Sequence, residues 1–148
     1  MDAISFIQTL VNLSLRYGIK SPDVDLYDFG FGKIVEVAGL CGEKKESCTH
    51  ILHVTCRFKV IWKNGESRVD KYYEDTSSEK FHSEVQRLLG LKVRRVALSD
   101  KNDLWLDFGD YWVAFATFEN GEESWRLFTS NREAPHLVAS NYWLDFST

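Results

Sequence analysis

Four residues with metal-ligand chemistry lie close together in this chain: Cys41, Cys48, His50 and His53. Thiolates combined with imidazoles suit zinc. The spacing C-x6-C-x-H-x2-H is not a compact structural-zinc pattern, and strand alternation would send Cys48 and His50 out with Leu52 on a core-facing side. Two ordinary histidines and two inert thiols are the plainer expectation, and no cofactor is expected. Signatures of other chemistries are missing: the sequence has no serine elbow, no glycine-rich phosphate loop and no HExxH helix. Asp103 and Asp107 share a strand face, but four residues along a strand span about 13 Å, beyond the roughly 5 to 9.5 Å of a glycosidase pair. A carboxylate pair would need two strands, such as Asp107 or Asp110 with Glu122 or Glu123. His82, on a helix, and His136, after Pro135, read as solvated or core-edge histidines, so no catalytic residue is assigned.

Recognition chemistry is better represented. A two-residue turn at Gly109-Asp110 puts Leu104, Leu106, Phe108, Tyr111, Val113 and Phe115 on one face of a hairpin. Asp103, Trp105, Asp107, Trp112, Ala114 and Ala116 then share the other, and continuation through Asn120-Gly121 would add Trp125 and Leu127 to it. Both faces are rich in apolar area, so water can border at most one. A helix covering the tryptophan side is the plainer expectation. Left open, that side is an acidic, aromatic docking patch made of Asp103, Trp105, Asp107, Asp110, Trp112, Glu122 and Glu123.

These residues must be positioned by a small set of elements. Apolar positions from Ala3 to Tyr17, with Asp2 to cap and Gly18 to stop, predict an amphipathic helix over 3–17. Val24 to Phe31 and Lys33 to Ala38 read as short strands, and the polar segment Gly39 to Thr49 as a mobile loop. From Leu52 to Trp62 apolar residues recur at every second position, which predicts one long antiparallel strand with a dry and a wet face. Asn64-Gly65 then favours a tight hairpin in which Lys63 faces Glu66, Val60 faces Val69 and Lys59 faces Asp70. Thr76 with Glu79 forms a capping box for a helix over roughly 77–89, ended by Gly90. Lys92–Ser99, Asp103–Phe108, Tyr111–Phe118, Ser124–Thr129 and Leu137–Phe146 follow as strands. The expected architecture is one α+β domain over 1–148. It consists of a mostly antiparallel sheet of about 7–9 strands, an N-terminal helix and a second helix between strand blocks.

With 148 residues, a single domain of this kind buries roughly 68 to 70% of its unfolded surface. No apolar run reaches the length of a membrane span, and Met1, Asp2 and Ala3 open the chain without a basic leader. A cytoplasmic protein without a membrane partner is expected, consistent with three cysteines that form no disulfide framework. Charge is lopsided: residues 96–148 carry nine acidic and three basic side chains within a chain of net charge −4. Such a field steers cationic partners and repels phosphate. Nucleic acid is therefore not expected, and the cluster Arg87, Lys92, Arg94 and Arg95 reads as a solvated face because no aromatic residue interleaves it.

Three segments carry a family likeness. They are VTCRFKVIWKNG at 54–65, LLGLKVRRV at 88–96 running on to DLWLDFGD at 103–110, and EESWRL at 122–127. Over residues 51–130 the chain resembles a group of small bacterial α+β proteins similar to the immunity proteins found beside polymorphic or contact-dependent toxins. The resemblance brings no catalytic residue. It implies a non-enzymatic cytosolic antidote that docks on a basic toxin domain, and an acidic, aromatic surface suits such a partner. The alternative is a small-ligand binder or enzyme with a pocket between the sheet and the N-terminal helix. The apolar stripe of residues 3–17 could also pair two copies in a homodimer.

Overall fold

Period-two patterning dominates the chain, and ten strands with two short helices form among the described residues. The structure is a computed structural model and describes residues 1–64 and 78–147. In chain order the elements are α1 (Ala3–Gln8), β1 (Leu15–Lys20), β2 (Tyr27–Ala38), β3 (Lys44–Val54), β4 (Arg57–Trp62), α2 (Ser78–Leu88), β5 (Arg95–Leu98), β6 (Leu104–Asp107), β7 (Tyr111–Ala116), β8 (Trp125–Thr129), β9 (His136–Ala139) and β10 (Leu144–Ser147). They build a six-stranded sheet, β1-β2-β3-β8-β9-β10, and a four-stranded sheet, β4-β7-β6-β5. Each named strand pairing is antiparallel. The α+β class and its antiparallel character therefore stand, with more strands, two sheets in place of one and a shorter N-terminal helix than the patterning suggested.

The expected strand over 52–62 is two strands in two sheets. It breaks at Thr55 and Cys56, whose N–H groups both donate to the Ser124 carbonyl at 3.0 and 3.2 Å. Leu52, Val54, Cys56, Phe58 and Val60 nevertheless stay buried on one side throughout, because both sheets face one shared core. Alternation reports which side is dry and is blind to which sheet the backbone joins. A second seam ties the sheets where Leu15 N donates to Leu91 O and Val93 N donates to Leu13 O, at 3.0 and 2.9 Å.

The N-terminal helix is shorter than expected. Asp2 caps it by accepting from Ser5 N at 2.7 Å, but the chain leaves the helix by Thr9 and turns at Asn12, whose φ of 73° is left-handed. Asn12 N then donates to Val93 O, so the seam takes the donor that a longer helix would have used. Of the expected apolar stripe, Phe6, Ile7 and Leu10 are buried in the core and Ile4 is exposed. The segment expected to be a mobile loop is mostly strand, since β3 begins at Lys44 and pairs with β2 from Ala38 back to Tyr27. The two strands expected between 24 and 38 are one, bulged between Phe31 and Ile34. Asn120-Gly121 joins the two sheets rather than closing a hairpin, and Leu137–Phe146 folds back as β9 and β10. The hairpin expected at Asn64-Gly65, with its partners Glu66, Val69 and Asp70, lies outside the described residues, as does the Thr76 cap.

α2 matches its patterning closely. It buries Phe81, Val85 and Leu88, and Phe81 meets Tyr27, Phe29 and Phe58 at ring distances of 4.8, 5.7 and 5.8 Å. Edge-to-face packing of this kind adds to area burial because ring edges and faces carry opposite partial charge. Among the described residues no helix is long and apolar enough to cross a membrane. The helix seats on β1 at Gly18, where an added Cβ would lie 2.9 Å from Val85 Cγ2. Gly18→Val is therefore expected to lower stability by about 1 to 3 kcal/mol through overpacking. Urea denaturation reads this as a lower midpoint at unchanged slope; an unchanged midpoint would contradict the close seat.

Candidate docking surface

The Gly109-Asp110 turn forms as its residue types require. Gly109 adopts φ 95°, and Phe108 N donates to Tyr111 O at 2.8 Å. The resulting register sets Leu106 against Val113 and Asp107 against Trp112, which sorts the two faces as expected. Leu104, Leu106, Phe108, Val113 and Phe115 are buried in the core. Trp105, Asp107, Trp112, Ala114 and Ala116 point away from it. Among the described residues no helix covers this outer side; α2 packs on the opposite, inner side through Phe81.

Cations from the flanking strands cover the indoles instead. One cross-strand row reads Arg95, Asp107, Trp112, Ile61, and the next reads Ala97, Trp105, Ala114, Lys59. Lys63 Nζ and the Arg95 guanidinium sit 4.3 and 5.2 Å from the Trp112 ring centre, and Lys59 Nζ sits 5.8 Å from that of Trp105. The two indoles meet edge to face at 6.0 Å. Such contacts draw on the negative face of the ring and strengthen as water is excluded. Small side chains at Ala97, Ala114 and Ala116 keep the surface low around them.

Asp107 anchors the arrangement. It is 4% exposed. Lys63 Nζ donates to Oδ1, Gly109 N donates to Oδ1 at 2.8 Å, and Arg95 Nε donates to Oδ2 at 3.1 Å. Burial pushes the carboxyl pKa up, but the Lys63, Gly109 and Arg95 donors outweigh it and hold the value below the ordinary one. The basic cluster is therefore not purely solvated: Arg95 leaves Arg87, Lys92 and Arg94 to lie over an aromatic ring.

The seven expected patch residues separate into three groups. Trp105, Asp107 and Trp112 are together, with Asp110 exposed at the adjoining turn. Asp103 shares the face, but its Oδ1 accepts from Thr117 N and Thr117 Oγ1 at 2.8 and 2.9 Å and serves the fold. Glu122 and Glu123 lie on the connection into β8, and Glu123 accepts from Arg126 Nε at 2.8 Å. Trp125, expected to join the patch, is fully buried in the other sheet and donates its Nε1–H to Asn102 O at 2.9 Å. Lys63 and Arg95 were not assigned to the patch. The signal for Lys63 was the wet-face alternation of Arg57, Lys59 and Ile61 carried one step past β4, which pairs with β7; Arg95 opens β5 and pairs with Asp107 of β6.

The metal candidates do not converge. Cys41 lies on the β2–β3 turn, Cys48 and His50 face inward, and His53 faces outward, where its Nδ1 meets Asp28 Oδ1 at 2.7 Å. No three metal-ligating side chains gather among the described residues. Burial raises the Cys48 thiol and pushes that of Cys56 up to about 12, so both are poor nucleophiles. Between α1 and the β8–β9 and β10 region lies a cleft of about 270 Å³ lined by Met1, Phe6, Thr129, Ala134, Pro135 and Phe146. Thr129 is its one polar lining residue, too few for the converging polar groups that a small-ligand site uses.

A further polar group spans the outer face of the six-stranded sheet. Arg126 Nη1 donates to His136 Nδ1 at 3.0 Å, and His136 stacks on Phe128. Burial, together with the Arg126 charge, holds His136 below its ordinary pKa, and burial does the same to His50. Both are favoured neutral in the fold. The unfolded chain takes up protons first as pH falls through about 6.5, so their stabilisation is complete above that value and declines below it. The melting temperature is expected to drop between pH 7.5 and 5.5, with a shallower slope in His136→Asn. A flat or rising profile would contradict the burial of these rings. No family model, curated protein or solved structure matches this chain.

Proposed function

We propose that this protein is a non-enzymatic binding module of the immunity type, which neutralises a toxin domain by docking the outer face of β4-β7-β6-β5 on it. The observation that carries this reading is the Trp105–Trp112 pair, partly exposed on the outer sheet face beside a buried carboxylate whose two cations lie over Trp112. Tryptophan and arginine at the centre of a flat surface supply most of the energy at protein interfaces, and rigid placement lowers the ordering cost of binding. The immunity assignment comes from the family likeness of residues 51–130, and the toxin partner follows from it. The surface differs from the acidic one expected. Asp107 is internally neutralised, Asp103 is tied to Thr117, and the exposed acids Asp110 and Glu122 stand at the turn and on the inter-sheet connection.

The test uses the proteins encoded on either side of this chain's gene. One of them, expressed alone, is expected to arrest growth, and co-expression of this protein to restore it through a stable complex. Trp105→Ala with Trp112→Ala should weaken that complex by about 2 to 4 kcal/mol, roughly 30- to 1,000-fold in Kd, while the protein still melts cooperatively. Failure of both flanking products to bind would remove the reading. Unchanged affinity in the double variant would move the docking surface elsewhere.

A further inference from the structure

We infer that the surface of the partner seated on the outer face of the four-stranded sheet is acidic, with Arg95 as the residue that reads its carboxylates; the inference rests on the docking reading above. Arg95 spends only Nε on Asp107, and its side chain is 69% exposed. Its terminal Nη1 and Nη2 groups have no partner among the described residues. A guanidinium fixed at one nitrogen and stacked over Trp112 presents its remaining edge as a pre-oriented fork, the geometry that carboxylates accept in pairs. Lys63 sits on the opposite side of the same carboxylate, so one buried negative charge holds two positive ones and leaves an excess of one at the surface.

That excess opposes the basic partner suggested by the acidic last third of the chain. Lys63 and Arg95 precede that third in sequence, and strand pairing brings them onto its tryptophans. Within the face the buried carboxylate, Asp107, is already paired with these two groups, and the exposed Asp110 stands at the turn beside it. Among anionic partners, a protein surface is favoured over nucleic acid. Base stacking needs open ring faces, whereas Lys63 and Arg95 already lie against Trp112, and the Trp105 ring meets it edge to face. A long polyanion would also extend beyond the patch into a chain of net charge −4, while a short acidic segment would not.

The inference is tested by titrating the full-length, ¹⁵N-labelled protein with octaglutamate, octalysine and an eight-nucleotide oligothymidylate while following the tryptophan indole N–H signals. Octaglutamate is expected to shift the Trp105 and Trp112 signals, with the shifts weakening as salt rises. Arg95→Gln should weaken that binding by about five- to tenfold. Gln can still donate to Asp107, which keeps Lys63 and Gly109 N in either case. Arg95→Lys, which retains charge but not the fork, should fall between the two, and Arg132→Gln, away from the face, should bind as the unaltered protein does. The inference is overturned if octalysine or the oligonucleotide shifts these signals and octaglutamate does not, if none of the three shifts them, or if Arg95→Gln is without effect. Its failure separates from that of the docking reading. A flanking gene product that binds the unaltered protein and Arg95→Glu equally keeps the docking and overturns the acidic contact. If neither product binds, the docking reading falls while the titration still reports which charge the face prefers.

Discussion

A carboxylate that is almost fully buried must be paired or must lose its charge, and Asp107 is paired on every side. This single requirement ties together parts of the chain far apart in sequence. Gly109 N can reach Oδ1 only if the β6–β7 turn has its two-residue geometry. Lys63 and Arg95 can reach the carboxylate only if β4 and β5 flank the β6–β7 hairpin on opposite sides. Breaking one partner of such a group costs more than the pair contributes, because the remaining charge is stranded out of water. The arrangement therefore specifies register and strand neighbours more than it adds stability, and it leaves Trp112 held between two cations.

The same hairpin connects core to surface. Its inner face supplies Phe115 to a ring cluster with Phe29 and Phe58, on which α2 lays Phe81. Its outer face carries the indoles. Because side chains alternate along a strand, a rigid aromatic core on one side fixes the tryptophans on the other to within the play of their own rotamers. Binding is favoured by a surface that is ordered beforehand, and the β6–β7 hairpin provides one.

Much of this was legible in the residues and some was not, for physical reasons. The two faces of the β6–β7 hairpin followed from Gly109-Asp110 and alternation, and α2 followed from Phe81, Val85 and Leu88. Alternation also marked the dry side from Leu52 to Val60, though Trp62 at the end of β4 is exposed, and it could not show that the backbone changes sheets at Thr55, because inner residues of both sheets enter one core. The helix over 3–17 failed because Leu13 and Tyr17, four apart, fit a helical stripe and a period-two alternation equally well, and the hydrogen bonds that decide between them come from residues 91–93. The sign of the docking face was hidden for a similar reason. Charge summed along the chain made the last third acidic, whereas Lys63 and Arg95 enter that face through strand pairing between distant segments.

The central claim is that one sheet face, the one bearing Trp105 and Trp112, is where a partner sits. Amide hydrogen exchange of the complex with the flanking gene product, compared with the free protein, addresses it most directly. The account predicts added protection over Arg57–Lys63, Arg95–Leu98 and the Gly109-Asp110 turn, with the outer face around His53, Arg126 and His136 unchanged. Protection that appears on the His53–Arg126–His136 face and spares Arg95–Leu98 would contradict it.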